Sequence, residues 1–230
     1  MDQREQNGCK KLDLCDKLRL YGILGSENLQ GITHREAISY AIKGGMTCVQ
    51  IREKNLSSDE LVRVISEIKP LCDEAEVPLI INDDADICKK TYACGVHLGL
   101  SDGSIEEARN LLGDSKIIGA TAHNLEEALA AEAAGADYIG VGAAFGSNSK
   151  GNAVKLPSLD VYNLIIAAVK IPVVAIGGIN VDNIKALEGR GLAGVAVISA
   201  LFSSSDIKKS AEKLRDSVEN LSDYMKRTLK

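Results

Sequence analysis

Short apolar runs rich in β-branched residues alternate with amphipathic stretches along this chain, about eight times from Leu18 onward. The runs predict β-strands, and the stretches, whose apolar residues recur every three or four positions, predict crossover helices. Alternating strands and helices imply parallel strands, so the pattern predicts an α/β fold. Such a series of units predicts a single closed (β/α)8 TIM barrel, for which about 250 residues is typical, and a doubly wound open sheet is the alternative.

The predicted elements have definite bounds. The strands are Arg19–Leu24, Cys48–Arg52, Leu79–Asn82, Val96–Gly99, Ile117–Thr121, Tyr138–Gly142, Val173–Ile176 and Val195–Ser199. Helical spacing is found at Leu61, Val62, Ile65 and Ile68, at Leu125, Ala128 and Leu129, and at Ile184 and Leu187. We expect residues 1–17 to form a polar N-terminal arm, residues 18–222 to form the barrel, and residues 223–230 to form a basic C-terminal tail.

Composition narrows the classes of partner. The chain has 27 Lys and Arg against 32 Asp and Glu, no Trp and two Phe, whereas a nucleic-acid surface usually needs a basic stripe and stacking aromatics. No apolar run approaches the roughly 18 residues of a membrane span, and the polar N-terminus lacks the apolar core of a secretory signal. We therefore expect small-molecule substrates, with no nucleic acid and no membrane as partner, and the sequence leaves a homo-oligomer open.

The cysteines indicate a compartment. Six cysteines are spread along the chain without a Cys-x-x-Cys pair. Their distribution favours reduced thiols and a cytoplasmic protein. Their spacings do not fit the usual zinc knuckles, so a zinc site is not expected.

The end of the second predicted strand carries polar residues where ligands bind in α/β folds, at the carboxyl ends of the strands. The sequence there reads Gln50-Ile51-Arg52-Glu53-Lys54. A period of two places Gln50, Arg52 and, if the strand continues, Lys54 on one face. An amide and two cations that converge at the end of a barrel suit a polyanion. The alternative is that Arg52 and Lys54 are solvated loop charges.

Carboxylates follow the next two strands. Asn82-Asp83-Asp84 ends the third strand, and Asp102 follows the fourth. Mg²⁺ is commonly held by one or two carboxylates while substrate phosphates and water complete its octahedron, so Asp83 and Asp102 form a candidate metal pair. The alternative is that each caps a helix, Asp83 or Asp84 the next one and Asp102 the one after it.

A hydroxyl, an imidazole and a long polar segment follow the fifth and sixth strands. Thr121 and His123 end the fifth strand, and His123 is either an acid or base or a structural, hydrogen-bonded histidine. The Gly-, Ser- and Asn-rich segment 143–152 is longer than the usual βα loop. It predicts a lid that offers hydroxyls and one ammonium to a phosphate, with a merely mobile loop as the alternative.

Glycine follows the seventh strand, and a hydroxyl follows the eighth. Gly177-Gly178 precedes a helix expected from about Val181, and Ile198-Ser199 ends the eighth strand. These two loops commonly hold a phosphate in barrels, because glycine permits close backbone approach and amides at a helix N-terminus bind phosphate. Two phosphate-binding regions at one end of a barrel indicate two phosphorylated substrates.

Taken together, these residues resemble the thiamine phosphate synthase family over about Leu18 to Leu214. The motifs that carry the resemblance are Gln50-Ile51-Arg52-Glu53-Lys54, Asn82-Asp83-Asp84, His97-Leu98-Gly99 with Asp102, Asp137-Tyr138-Ile139-Gly140-Val141-Gly142, Ala175-Ile176-Gly177-Gly178-Ile179 and Val197-Ile198-Ser199. The resemblance implies a TIM barrel that joins hydroxymethylpyrimidine diphosphate to a thiazole phosphate. In that reaction pyrophosphate departs in a dissociative step, and Mg²⁺ and fixed cations stabilise its charge.

The resemblance also implies roles for individual residues. Substrate contacts are expected from Gln50, Ile51, Arg52, Glu53, Lys54, Asn82, Thr121, Ser147, Asn148, Ser149, Lys150, Gly178, Ile198 and Ser199. Within this set, Arg52, Lys150 and Thr121 are the expected catalytic residues. Asp83 and Asp102 are expected to hold Mg²⁺, the one expected cofactor.

The chain departs from the family pattern at two places. The usual Pro-x-Phe-Pro ahead of the lid reads Ala143-Ala144-Phe145-Gly146, and the usual Gln of His-x-Gly-Gln is Leu100. A looser lid and a lost polar contact near the metal are the expected consequences. Two other interpretations compete: a thiazole tautomerase in which His123 shuttles a proton, and a phosphate-ligand binding protein without turnover. The retained Asp83, Asp102, Arg52 and Lys150 favour the synthase.

Overall fold

The computed structural model describes residues 14–146, 155–219 and 221 of the 230-residue chain. Its strands are β1 Leu20–Leu24, β2 Cys48–Ile51, β3 Leu79–Asn82, β4 Gly95–Leu98, β5 Ile117–Ala122, β6 Tyr138–Gly142, β7 Val173–Ile176 and β8 Gly194–Val197. Its α-helices are α1 Leu14–Lys17, α2 His34–Lys43, α3 Ser58–Glu74, α4 Ala85–Thr91, α5 Ile105–Leu112, α6 Leu125–Ala133, α7 Asp160–Ala168, α8 Ser199–Phe202 and α9 Ile207–Glu219. Two short 3₁₀-helices are Ser26–Asn28 and Ile184–Leu187.

The strands form a closed parallel barrel in chain order, and β1 pairs with β8 to complete it. Parallel neighbours cannot be joined by a tight hairpin, so each connection crosses over the outside of the sheet, in most cases as a helix. The register places Gln50 of β2 beside Ile23 of β1 and Ile80 of β3. The predicted fold, a single (β/α)8 TIM barrel, is confirmed.

Each strand serves two apolar layers, because successive side chains alternate between the two faces of a sheet. Val49, Ile81 and Val195 belong to the large buried cluster that joins the strands to the helices. A second cluster fills the barrel interior and includes Tyr21, Ile23, Cys48, Ile80, Ile117, Tyr138, Val174 and Ala196. The interior is therefore a packed core rather than a pore.

Gly119 of β5 makes room for Tyr138, its register partner on β6. A Cβ added to Gly119 would lie 2.1 Å from Cζ of Tyr138, a distance that real contacts do not reach. Tyr138 is fully buried, and its ring meets that of Tyr21 edge-on with the centroids 6.0 Å apart. Because Gly119 has no side chain, β5 leaves space for the phenol ring of Tyr138 on β6.

The crossover after β7 differs from the prediction. Ile184 and Leu187 lie in a 3₁₀-helix of four residues, and the described range 155–219 contains no α-helix that starts near Val181. Gly189, at φ +70°, follows two residues after the end of this short helix. Both apolar residues are nevertheless buried, as their spacing predicted.

The predicted apolar face of α6 is wrong in part. Leu125 and Leu129 are exposed, whereas Ala128 and Ala131 are buried. Alanine lets a helix lie close to its neighbours, so the small residues form the contact face. The two leucines, one turn apart, then project to solvent.

Two further expectations are not met: one concerns the polar N-terminal arm, and the other the reduced state of the cysteines. Residues 14–17 of the predicted polar arm form a helical turn, and Leu14 is buried against the interior cluster. The cysteines Cys48, Cys72 and Cys88 are free. Cys94 is disulfide-bonded, so the expectation of reduced thiols is wrong there, because spacing along a chain does not show which thiols meet in space.

Within the described part of the chain, no helix has the length and apolar character to cross a bilayer.

Candidate active site

The carboxyl ends of the parallel strands lie at one end of the barrel, called here the mouth, and β2 brings two polar side chains to it. Gln50 and Arg52 are 2% and 6% exposed, while Ile51 between them packs in the helix-facing cluster. The expected alternation is therefore present for these three residues. Lys54 was expected on the same face only if the strand continued that far. The strand does not, because β2 ends at Ile51 and Lys54 lies exposed in a bend.

Arg52 is a buried cation under the influence of two carboxylates. Its Nη1 lies 3.7 Å from Oε1 of Glu27, which belongs to the 3₁₀-helix after β1 and is half-exposed. Its positive charge also acts to lower the pKa of Asp83. A buried cation needs compensating anions. An anionic substrate can therefore compete with Glu27 for this guanidinium.

Glu53 ties two earlier segments to the end of β2. Its Oε1 accepts a hydrogen bond from Oγ of Ser26 at 2.8 Å and lies 2.6 Å from Nε2 of His34. Burial raises the pKa of Glu53, but the hydrogen bonds with His34 and Ser26 outweigh it and hold that pKa below its usual value. Glu53 thus anchors the segment that carries Glu27, and its expected substrate contact stays a prediction. No role was expected for His34, because nothing in its local sequence pattern points to Glu53.

Two adjacent carboxylates after β3 have different roles. Asp84 is the N-cap of α4, and its Oδ1 accepts from the third backbone N–H of that helix at 2.8 Å. Asp83 has a left-handed backbone conformation with φ +66° and makes no such cap. Ser104, not Asp102, caps α5. The capping alternative therefore holds for Asp84 and is wrong for Asp83 and Asp102.

Asp83 and Asp102 are brought together at the mouth. Burial, then the hydrogen bond with Asp102 and the negative charge of that carboxylate, raise the pKa of Asp83 to about 6, against the lowering effects of Asn82 and Arg52. Asp102 is held in place because its Oδ2 accepts from the backbone N–H of Gly99 at 3.0 Å. Two carboxylates this close repel each other unless a proton or a cation lies between them.

This carboxylate pair fits a magnesium ion. Mg²⁺ prefers oxygen ligands, and it commonly takes one or two carboxylates together with water and substrate phosphates. Among the residues that the structure describes, no group of three or more His, Cys, Asp or Glu gathers as a closed metal cage. A pair of carboxylates beside the Arg52 guanidinium leaves other coordination positions of such an ion open.

Thr121 lies near the end of β5 and is half-buried. Its Oγ1 is 3.0 Å from Nε2 of His97, whose Nδ1 is 3.0 Å from the hydroxyl of Tyr138. That hydroxyl in turn lies 2.8 Å from the hydroxyl of Tyr21. Neither tyrosine was expected at the site, although a tyrosine at an inward position of an apolar strand is a signal for such a polar contact.

His123 has a local partner. Its Nδ1 lies 2.9 Å from Oε2 of Glu127, one turn further along in α6, and its backbone N–H donates to the same oxygen at 2.7 Å. The His123 side chain is 45% exposed. This geometry is that of the structural, hydrogen-bonded histidine that the sequence analysis weighed against an acid or base.

The loops after β7 and β8 expose backbone at the mouth. Gly177 and Gly178 have φ values of +101° and +65°, and a Cβ on Gly178 would lie 2.5 Å from the carbonyl oxygen of Gly146. Ile198 is half-buried and Ser199 is exposed. Because no long helix follows Gly178, a phosphate there would rely on loop amides and hydroxyls rather than on a helix dipole.

Four predicted site residues, Ser147, Asn148, Ser149 and Lys150, lie outside the described residues. Their expected roles therefore stay predictions. On the described side of that segment, Ala144 and Phe145 are fixed by backbone hydrogen bonds to the carbonyls of Ile176 and Gly177, at 2.9 and 3.0 Å. The segment that precedes the expected lid is thus attached to the end of β7 and the loop that follows it.

The sequence and the fold both match proteins of one family. A family model described as thiamine monophosphate synthase matches residues 20–201. The thiamine-phosphate synthase of Fusobacterium nucleatum is 44% identical over 203 residues, which cover 88% of this chain and 98% of that protein. The thiamine-phosphate synthase of Ruminiclostridium cellulolyticum is 44% identical over 195 residues, covering 85% and 92%. Among solved structures, thiamine phosphate pyrophosphorylase from Pyrococcus furiosus has a TM-score of 0.83 at 37% identity, with 91% and 99% covered.

Proposed function

The chain belongs to the thiamine monophosphate synthase family and is a transferase, and from this premise we propose that it condenses 4-amino-5-hydroxymethyl-2-methylpyrimidine diphosphate with a thiazole phosphate or its carboxylated form. Thiamine phosphate and pyrophosphate are the products, with carbon dioxide as well when the thiazole is carboxylated. The observation that carries the proposal is the buried guanidinium of Arg52 beside the carboxylates of Asp83 and Asp102. A cation and a divalent-metal site together suit a diphosphate.

The proposed step separates charge. The bond between the pyrimidine methylene carbon and the diphosphate oxygen breaks, and its electron pair leaves with pyrophosphate. The lone pair of the thiazole nitrogen then forms the new bond to that carbon. Arg52 is already desolvated and fixed, so it stabilises the departing charge without reorganising water. Gln50 and Asn82 bind the pyrimidine diphosphate beside it, and Thr121 contacts the substrate through its hydroxyl.

Asp83 and Asp102 would hold Mg²⁺, which when bound neutralises part of the diphosphate charge. The mutual repulsion of these two carboxylates supports a cation between them. The proposal assigns the second phosphate, that of the thiazole, to Gly178, Ile198 and Ser199. Ser147 and Ser149 would add hydroxyls to that phosphate, and Lys150 an ammonium to the diphosphate, from outside the described residues.

The proposal includes a cytoplasmic location and leaves a homo-oligomer as a prediction. Free thiols at Cys48, Cys72 and Cys88 support the location, whereas the disulfide bond of Cys94 counts against it. Phosphorylated substrates support it as well, because multiply charged molecules do not cross a bilayer unaided. Size-exclusion chromatography with light scattering measures the oligomeric state directly.

The test is pyrophosphate release from purified full-length protein with both precursors and Mg²⁺, followed by detection of thiamine phosphate. We expect release that stops with EDTA and coupled product that requires the thiazole phosphate. Arg52→Ala should lower turnover by about 100-fold or more, the usual effect of removing one preorganised charge-stabilising group. Arg63→Ala, which removes an exposed arginine of α3, is the matched control and should leave the rate unchanged.

The same assay separates the alternatives. A metal-independent isomerisation of the thiazole phosphate, lost in His123→Gln, would establish the tautomerase instead. Binding of thiazole phosphate without any turnover would establish a binding protein. Unaltered pyrophosphate release by Arg52→Ala would remove Arg52 from the proposed mechanism.

A further inference from the structure

Five side chains from five strands form a continuous series of hydrogen bonds inside the barrel. Nε2 of Gln50 donates to the hydroxyl of Tyr21 at 2.7 Å, and that hydroxyl lies 2.8 Å from the hydroxyl of Tyr138. The Tyr138 hydroxyl is 3.0 Å from Nδ1 of His97, and Nε2 of His97 is 3.0 Å from Oγ1 of Thr121. The series runs from the buried interior to the half-buried Thr121 at the mouth.

The amide at one end gives the series a direction. A phenol has one hydrogen to donate. Because Tyr21 accepts from Gln50, its own hydrogen goes to Tyr138, which is the other hydrogen-bond partner seen for it among the described residues. Tyr138 then accepts from Tyr21 and donates to Nδ1 of His97. An accepting Nδ1 carries no proton, so the imidazole is neutral with its hydrogen on Nε2, and it donates to Thr121.

We propose that Tyr21 and Tyr138 are positioning residues whose one-way series of hydrogen bonds holds His97 with its proton on Nε2 and leaves the hydroxyl hydrogen of Thr121 for the substrate. A hydroxyl that accepts from His97 has its own hydrogen available for another acceptor. The group that fits is a lone-pair acceptor, such as a ring nitrogen of a heterocycle. The identity of that substrate rests on the proposed function; the direction of the series does not.

Burial supports the direction. Tyr21 and Tyr138 are 2% and 0% exposed, and burial, followed by the nearby acidic groups, raises the pKa of both phenols well above its usual value. Both hydroxyls therefore keep their hydrogens at any working pH. A reversed direction of the hydrogen bonds would leave the Gln50 amide N–H facing the O–H of Tyr21, a second donor. A buried series in which every donor has an acceptor is more favourable than one with such an unpaired group.

Nuclear magnetic resonance reads the tautomer directly. The chain has three histidines, so ¹⁵N-histidine labelling gives three ring spin systems. His97 is the one that persists in both His34→Gln and His123→Gln. We expect the Nε2–H form for His97, and a shift of its Nδ1 resonance in Tyr138→Phe as the hydrogen bond is lost. A proton on Nδ1, an imidazolium, or an Nδ1 resonance that does not move in Tyr138→Phe would overturn the proposal.

Tyr162→Phe is the matched control. Tyr162 is also fully buried, but it lies on α7, and its hydroxyl donates to the backbone carbonyl of Val141 at 2.9 Å. The same atom is removed from the same residue type outside the series. This variant should leave the His97 resonances in place. Movement of the Nδ1 resonance in this variant as large as that in Tyr138→Phe would show a general packing effect and refute the proposal.

A double-mutant cycle tests the route to the substrate. Tyr138→Phe should lower kcat/KM for the pyrimidine diphosphate by about 3- to 10-fold, the range of one hydrogen bond. Thr121→Val should lower it by about 10-fold, and Thr121→Ser should restore it. In the Thr121→Val background, Tyr138→Phe should cost less than 2-fold, because the hydroxyl through which it acts is gone. Additive losses would overturn the role of Tyr138 in positioning Thr121.

The two measurements fail independently. Absence of pyrophosphate release from the wild-type protein would refute the proposed function, and the tautomer of His97 would still decide the direction of the series. If Tyr138→Phe does not fold, Tyr21→Phe removes the donor one step earlier. It is then expected to shift the His97 Nδ1 resonance in the same sense, and an unmoved resonance would again count against the proposal.

Discussion

Replacing Asp83 with Asn should stabilise the metal-free protein at pH 8. Burial and the neighbouring Asp102 raise the pKa of Asp83 to about 6 from a usual 3.8, so the ionised carboxylate is less stable in the folded than in the unfolded state. Asn keeps the shape of the side chain and removes its charge. It also tolerates the φ of +66°, so the backbone does not oppose the change.

The magnitude follows from the pKa difference. About two pKa units correspond to about 3 kcal/mol at 1.36 kcal/mol per unit, which is an upper bound. Asp83 is exposed to solvent, and solvent screening reduces the penalty to about 1 kcal/mol. For a chain of this size, 1 kcal/mol corresponds to a rise in Tm of about 2–4 °C.

The pH dependence has a definite sign. An acid with a raised folded-state pKa destabilises the fold once the unfolded state ionises, so the penalty develops between about pH 4 and pH 6 and is complete above that range. The gain in Asp83→Asn should therefore be full at pH 8 and absent below about pH 4. Urea denaturation of both proteins in EDTA at several pH values measures it. A gain of equal size at pH 4 and pH 8 would refute the electrostatic explanation.

A neighbouring substitution provides the control. Asp84→Asn makes the same chemical change one residue later, at the N-cap of α4, where Asn caps a helix as well as Asp. It should change stability by less than about 0.5 kcal/mol at either pH. Added Mg²⁺ should raise the Tm of wild type and of Asp84→Asn but not that of Asp83→Asn. An equal rise in all three would place the metal elsewhere.

Two further substitutions test packing and anchoring. Gly119→Ala should lower the free energy of unfolding by about 1–3 kcal/mol in urea, because the new Cβ would meet the ring of Tyr138; an unchanged midpoint would contradict that close contact. Glu53→Gln should cost about 1–3 kcal/mol, because it weakens charge-assisted hydrogen bonds to His34 and Ser26. The same loss in a His34→Gln background would show that Glu53 does not act through His34.

Much of the fold could be predicted from the sequence because barrel strands are short apolar runs between helices. The bounds of β3, β6 and β7 agree with the prediction, and the other strands differ by one or two residues at one or both ends. The crossover with Ile184 and Leu187 was predicted as an α-helix, because a spacing of three fits both helix types. The structure has the 3₁₀-helix there.

The candidate site could be predicted where a local rule applies and not where neighbours decide. Gln50 and Arg52 share a face because successive side chains of a strand alternate between its two faces. That local rule applies only along the strand itself. The local sequence does not show whether Asp83 or Asp84 caps the next helix. In the structure, the left-handed φ of Asp83 leaves the capping role to Asp84. The roles expected for residues 147–150 stay predictions, since the structure does not describe these residues.

The sequence by itself determined the alternation of strands and helices, the parallel direction of the strands and the strand ends that carry polar groups, because these depend on the period of hydrophobicity and on local turn residues. Only the tertiary structure decided which distant residues meet. Tyr21 and Tyr138 are separated by 117 positions, yet their hydroxyls are 2.8 Å apart across the closed barrel. Contacts of that kind arise from the register and closure of the sheet, which no local pattern encodes.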